Sequence, residues 1–246
     1  MQPLAGRSAL VTGASRGIGA AIARRLAADG AAVALTHSNS AAAAEQVAAE
    51  ITVSGGHALV LRSDAGDPEQ IRAAVTATAT EFGGLDVLVN NAGTVESGHL
   101  DELSLADFDR ALAVNVRGPF VAIQEASKYL QAGGRIINIG TSLADHLPFQ
   151  HMIAYITSKT ALAGLTRSAA RDLGPRGITV NDVQPGAVDT AMNPAAGPRA
   201  EVLQATTPLG RFGTPDEIAN LVAHLAGPEA AFVTGAILNS DGGFAT

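Results

Sequence analysis

The sequence predicts an α/β fold, a doubly wound seven-stranded parallel sheet with helices on both faces, in a single domain covering residues 1–246. Three observations predict it. From Arg7 onward short apolar runs alternate with longer segments of helical period, which is the pattern of repeated βαβ units. The connections between these segments are short, so nothing marks a domain boundary. A glycine-rich turn follows the first apolar run and opens the first helical segment.

The elements follow in order. Residues 8–12, 32–36, 58–61, 87–90, 135–140, 179–183 and 236–239 read as buried strands, each a short aliphatic run of the kind a sheet covered on both faces requires. Between them, 18–29, 40–54, 68–82, 105–130, 152–173 and 215–225 have helical period. Pro68 stands early in one of these helices and Gly174-Pro175 just past the end of another, the positions at which those residues are tolerated. Residues 187–209 break the rhythm, because they carry several Pro and Gly, lack a period and follow directly on a strand end. Ligands of open parallel sheets sit beyond the carboxyl ends of the strands, so this stretch is placed to serve as a substrate lid, the alternative being an ordinary surface excursion.

Composition narrows the function classes. Aromatic residues are scarce, yet 47% of the 246 residues are hydrophobic, which is enough to build a core from Ala, Val, Leu and Ile. Sixteen basic against 23 acidic residues give a net charge of -7 with no basic run to follow a phosphate backbone, which argues against nucleic acid as a partner. With no cysteine there is no disulfide, thiol nucleophile or thiolate metal site, and no metal is expected. No export signal or membrane-spanning run is visible, so a soluble, cytoplasmic protein without membrane partners is expected.

The turn Thr12-Gly13-Ala14-Ser15-Arg16-Gly17-Ile18-Gly19 is the first motif with chemical content. Glycines at 13, 17 and 19 remove side chains where the backbone turns sharply and where a pyrophosphate would meet main-chain N–H groups at a helix N-terminus. Taken alone, such a turn also suits a tight strand-to-helix corner. Ser142 emerges at the carboxyl end of the strand read over 135–140, where its hydroxyl can donate to a substrate oxygen. No flanking glycines or histidine partner support a nucleophilic role for it. Tyr155 and Lys159 are four apart in a helical segment and share one face, so the ammonium can act on the phenol and bring it toward useful acid/base strength. Pro119 has no N–H to return to the carbonyl of Asn115, so the helix should bend there and leave that carbonyl available.

Together these residues resemble the short-chain dehydrogenase/reductase family. The likeness rests on Thr12-Gly13-x3-Gly17-x-Gly19, Asn90-Asn91-Ala92-Gly93, Asn115, Ser142, Tyr155-x3-Lys159, Pro185-Gly186 and Asn239-Ser240-Asp241-Gly242-Gly243, and it covers almost the whole chain. It implies a Rossmann-type nucleotide fold with Asn115, Ser142, Tyr155 and Lys159 as catalytic residues. It further implies a cofactor cleft formed by Gly13, Ser15, Arg16, Gly17, Ile18, Gly19, Asn91, Ala92, Gly93, Pro185, Gly186 and Val188, with Tyr155 and Lys159 also touching the cofactor. Asp64 would meet the adenine amino group, Asn90 the ribose side, and Thr190 the nicotinamide carboxamide. Asn115 would hold a water that links Lys159 to solvent.

The choice of cofactor turns on the end of the second strand, where His37, Ser38 and Asn39 stand and no acid is present to repel a 2′-phosphate. Arg16 faces the same corner and can pair with that phosphate, or rest on the adenine face; NADP(H) is therefore expected over NAD(H). The expected activity is reduction of a ketone or aldehyde, with a 3-oxoacyl thioester as one option, because the likeness extends to the 3-oxoacyl-acyl-carrier-protein reductase branch. A regulatory nucleotide-binding protein of the same fold is the alternative. The resemblance also implies a homotetramer.

Overall fold

The computed structural model describes residues 2–197 and 200–246, so residues 198–199 of the expected lid lie outside the described residues. Seven strands form one parallel sheet: β1 Ser8–Val11, β2 Ala32–His37, β3 His57–Arg62, β4 Val87–Asn90, β5 Arg135–Ile139, β6 Thr179–Pro185 and β7 Ile237–Ser240. Their order is β3-β2-β1-β4-β5-β6-β7, the doubly wound arrangement the sequence predicts. The winding reverses between β1 and β4, and at such a switch point the connections leaving the two strands diverge and open a crevice.

Among the described residues are eight α-helices: α1 Gly17–Ala28, α2 Ala41–Val53, α3 Pro68–Phe82, α4 Leu105–Leu112, α5 Gly118–Ala126, α6 Ile153–Leu173, α7 Ala200–Thr206 and α8 Pro215–Ala226. On one face Ile22, Leu26, Val47, Ile218 and Val222 from α1, α2 and α8 pack on Val33, Leu35, Val89 and Val183. On the other, Val75, Val121 and Ala170 from α3, α5 and α6 pack on Leu10, Leu88, Ile136 and Val180. Each fully buried aliphatic side chain of this kind contributes roughly 1.5–3 kcal/mol. Local signals agree with these helices: Asp67 caps α3 by accepting from the N–H groups of Glu69 and Gln70, and α3 ends at Gly83 with a positive φ of 74°.

Three expectations are corrected. The helix read over 105–130 is two helices joined by a π-helical turn at Ala113–Arg117, and it ends at Ala126. The physical cause is Pro119, which removes a helical donor, so the Gly118 N–H reaches back to the Ala113 carbonyl five residues away. Gly118 also lies so close to the preceding crossover that a methyl group there would stand 2.4 Å from the Ala65 carbonyl oxygen. The stretch 187–209 holds a helix, α7, which at seven residues among prolines and glycines is too short to show a period. Finally, β3 and β7 are edge strands and not buried, exposed at His57 and Arg62 and at Asn239, because each has a single neighbour in the sheet.

Candidate active site

The carboxyl ends of β1 and β4 are joined by a small hydrogen-bond lattice that fixes the glycine-rich turn. The Thr12 hydroxyl accepts from the N–H groups of Asn91 and Ala92, both at 3.0 Å, while Asn91 Nδ2 donates to the carbonyls of Thr12 and Gly13 at 2.9 and 3.0 Å. Thr36 at the end of β2 completes it, accepting from the Gly13 N–H through its hydroxyl and from the Ala14 N–H through its carbonyl. The glycines are required by this packing. A methyl group at Gly19 would lie 2.4 Å from Asn91 Nδ2, and one at Gly13, whose φ is +64°, would lie 2.8 Å from Ala92 Cα.

The turn delivers the chain to α1 with the character of an anion site. Arg16 is the N-cap, its side chain makes no capping hydrogen bond, and the first turn of α1 contains no acid. The leading N–H groups of the helix and its positive dipole end are therefore presented to the crevice. Ser15 and Ile18 flank the same turn, and Gly17 meets Thr190 from the segment after β6, where a methyl group would stand 3.4 Å from Thr190 Cγ2. Val188 is buried and bridges to Gly213, and Gly186 packs so tightly on Asp241 that a methyl group would lie 2.7 Å from its Cα. Pro185 ends β6, and these residues close the crevice from above.

The second-strand corner carries no acid at residues 37–39. His37 is buried at the end of β2 with Nδ1 unpartnered, and Ser38 and Asn39 follow it into the loop. Asp64 lies just past β3, exposed, with Oδ1 accepting from the Gly66 N–H at 2.8 Å. Asn90 donates from Nδ2 to Asn138 Oδ1 at 2.8 Å and so pins β4 to β5. A small, mostly apolar cavity lies beneath these points, between the ends of β1, β2 and β4 and the helices α3 and α5, with Thr12, Thr36, Asn90, Ile71, Val75 and Ala122 in its wall.

Beyond this cavity Asn115 stands in the π-helical turn, Ser142 in the turn after β5, and Tyr155 and Lys159 on α6, with Lys159 Nζ and Asn115 Oδ1 both against Gly93. Asn115 is fully buried in the π-helical turn; its Oδ1 accepts from the Thr94 N–H and its Nδ2 donates to the Thr94 carbonyl and to the Ser158 hydroxyl, all at 2.9 Å. Ser142 opens a single 3-10 turn after β5, and its hydroxyl is buried without a partner. A buried donor left unpaired is costly unless a ligand completes it, so this hydroxyl fits a polar substrate atom. Lys159 is buried on α6, donates to the Ile139 carbonyl at 2.6 Å, and stands 3.5 Å from where a methyl group at Gly93 would project. Asn115 Oδ1 would be 3.3 Å from that same methyl group, so the β4 loop lies closely over both residues at Gly93.

The electrostatics differ from the sequence expectation in one respect. Burial pushes the Tyr155 phenol above its ordinary value, with the Thr141 side chain countering part of the rise. The expected lowering by Lys159 is not among the causes acting on the phenol; the lysine is itself pushed down by burial, and the charge that acts on it is Asp182. Asp182, Thr94, Thr141 and Ser158 are the members of the site that sequence reasoning missed. For Asp182 a signal existed, an acid in the middle of a strand read as buried; for the others the sequence carries none.

With the geometry established, comparison with other proteins becomes informative. A family profile described as Enoyl-(Acyl carrier protein) reductase matches residues 13–245. A solved short-chain dehydrogenase/reductase from Serratia marcescens BCRC 10948 is 53% identical and superposes with a TM-score of 0.98, covering 99% of this chain and 100% of its own. The chain belongs to the short-chain dehydrogenase/reductase family. A second solved short-chain dehydrogenase, from Burkholderia cenocepacia J2315 and in complex with NADP, is 50% identical with a TM-score of 0.98 over 99% of this chain and 100% of that one. The cyclic-di-GMP-binding biofilm dispersal mediator protein of Escherichia coli strain K12 is 45% identical over 244 residues, 99% of each sequence. This short-chain dehydrogenase/reductase is thus an oxidoreductase-family member over its whole described length. Among its described residues no helix is long and apolar enough to cross a membrane.

Proposed function

We propose that this chain is an NADP(H)-dependent reductase of ketones or aldehydes, with Tyr155 as the proton donor. The single observation that carries the reading is the buried, unpartnered Ser142 hydroxyl on the same end of the sheet as Tyr155 and Lys159. The preference for NADP(H) is supported by the second-strand corner, where His37, Ser38 and Asn39 supply no carboxylate, by Arg16 beside it, and by the NADP held in the Burkholderia relative. The residues fit the cofactor, because a side chain at Gly13 or Gly19 would clash, Gly17 takes a positive φ of 55°, and the turn presents the leading N–H groups of α1.

When bound, the nicotinamide supplies the hydride. Ser142 donates a hydrogen bond to the carbonyl oxygen, orienting it and stabilising the charge that develops there. Tyr155 delivers its proton to that oxygen; burial keeps the phenol protonated before the step while making it a weaker acid. Lys159, its ammonium close under the Gly93 loop, binds the nicotinamide ribose and stabilises the phenolate that remains. Asn115, locked to Thr94 and Ser158, holds the water through which the lysine exchanges protons. Residues 187–209, which carry Val188, Thr190 and α7 and begin at the end of β6, serve as the lid.

A regulatory role without turnover draws support from the name of the E. coli relative, but a non-catalytic nucleotide binder has no use for the Ser142 hydroxyl in that buried position. The assembly is a homotetramer in this reading, supported by the exposed Leu105 and Phe120 on the helical face of α4 and α5. The test is oxidation of NADPH followed at its absorbance band over a panel of ketones, aldehydes and 3-oxoacyl thioesters. Turnover of at least one carbonyl class is the expected result, and tight nucleotide binding with no turnover of any would favour the regulatory role.

A further inference from the structure

Two polar layers lie between α6 and the sheet, and they differ in one respect. In the first, Asn90 donates to Asn138, Asn138 to the Thr166 hydroxyl at 2.8 Å, and Thr166 to the Leu162 carbonyl at 2.9 Å, so each donor in the chain finds an acceptor and the chain ends on the backbone. In the second, one step nearer the carboxyl end, Asp182 Oδ2 receives a long 3.3 Å bond from Gln184 Nε2, while Asp182 Oδ1 and Gln184 Oε1 have no partner at all. Both residues are fully buried in β6, every residue of which is buried. An acid in that position is expensive unless something uses its charge.

The backbone is built around this acid. Asp182 pairs in register with Asn138 on β5, and the next residue on that face is Gly140, where a methyl group would lie 2.7 and 2.8 Å from the two carboxylate oxygens. A glycine is therefore needed to seat the carboxylate. The same end of β5 offers the Ile139 carbonyl to Lys159 Nζ. The charged groups that act on Asp182 are Lys159 from α6, which reaches the Ile139 carbonyl beside Gly140 without forming a direct ion pair with the carboxylate, and Asp145, an acid from the turn after β5. On its other neighbour, β7, Ile237 and Asn239 stand opposite Asp182 and Gln184 and carry no charge, and α8 covers the opposite face against Val183.

We propose that Asp182 is a positioning residue of the reaction, its buried carboxylate keeping the Lys159 ammonium charged and directed to the carboxyl end of β5. Its action is indirect, since it reaches Tyr155 and the ribose only through the lysine. The electrostatics agree in direction: burial drives the lysine down and the carboxyl up, and each opposes that drift in the other. The inference rests on the catalytic role given to Lys159 above.

The sign of the effect is fixed by charge. Without the carboxylate, Lys159 loses its proton at lower pH, so the alkaline limb of the kcat profile for ketone reduction in Asp182→Asn moves down by about one pH unit or more. The asparagine has the same shape, and its thermal melting point is expected to stay near that of the wild type. A uniform fall in kcat with an unmoved limb would mean a merely structural role and overturn the proposal. Carbon-13 NMR of the wild-type chain supplies a readout independent of turnover and of the variant's folding. The Asp182 carboxyl should titrate well above the ordinary carboxylate value of about 4, and higher still in Lys159→Met. An ordinary titration, or one that Lys159→Met leaves in place, overturns the pairing. A wild-type chain that reduces no carbonyl would instead refute the proposed function while leaving the titration result standing.

Discussion

The Asn115 side-chain amide donates a 2.9 Å hydrogen bond to the Ser158 hydroxyl, which donates in turn to the Tyr155 carbonyl at 2.7 Å. The π-helical turn is thereby tied to the turn of α6 that carries the phenol. Asn115 also clasps Thr94 through two further bonds, so its truncation should cost far more than loss of Ser158. Asn115→Ala is expected to destabilise the fold by about 2–4 kcal/mol and Ser158→Ala by about 1 kcal/mol. Urea denaturation of the two variants measures this, and equal losses would show that the Thr94 clasp contributes nothing.

Tyr155→Phe removes the transferable proton and keeps the ring. Carbonyl reduction should fall by about 10²–10⁴-fold, the range contributed by a positioned acid, while NADPH binding measured by fluorescence titration stays nearly unchanged. A variant that retains most of its turnover would transfer the proton-donor role to another group.

Much of this site was readable because its parts sit at strand ends and helix starts, where spacing along the chain translates directly into position. Gly13, Gly17 and Gly19 must cluster once a strand and helix flank them, and Tyr155 and Lys159 must share a face once the segment is helical. What escaped the sequence was tertiary. Pro119 announced a broken helix, but the break resolves as a π-helical turn because Gly118 packs against the Ala65 carbonyl, a contact between residues far apart in the chain. Desolvation was equally invisible: the expectation that Lys159 lowers the Tyr155 phenol follows from proximity alone, whereas burial of both groups and the charge of Asp182 set the balance. Helix α7 was hidden by its shortness.

Arg16 provides a test of cofactor choice that is independent of catalysis. It stands exposed at the N-cap of α1, with no acid in the helix's first turn to draw its guanidinium away from the second-strand corner. If it pairs with a 2′-phosphate, Arg16→Ala should raise KM for NADPH about tenfold or more, the loss expected for a charge-assisted hydrogen bond, and leave KM for NADH almost unaffected. Equal changes for both cofactors would place the guanidinium on the adenine face instead.

The Arg211–Glu217 pair gives stability a predictable pH dependence. Glu217 is the N3 residue of a capping box on α8: its carboxylate accepts from the Thr214 N–H at 2.8 Å while the Thr214 hydroxyl accepts from the Glu217 N–H, and Arg211 meets it with Nη2 to Oε1 at 2.7 Å. The hydrogen bond from Arg211 is the largest cause that lowers the Glu217 carboxyl from 4.5 to about 2. A carboxyl held down in the folded state stabilises the protein above its unfolded value, and that contribution disappears as the pH falls through the folded one. Glu217→Gln can still reach the Thr214 N–H, so the substitution isolates the charge. It should lower the melting temperature slightly at neutral pH, since an exposed pair is screened and worth roughly 1 kcal/mol or less. The difference from the wild type should close as the pH is lowered from 4.5 toward 2, and added salt should shrink it at neutral pH. Thermal melts across that range would contradict the assignment if the difference stayed constant.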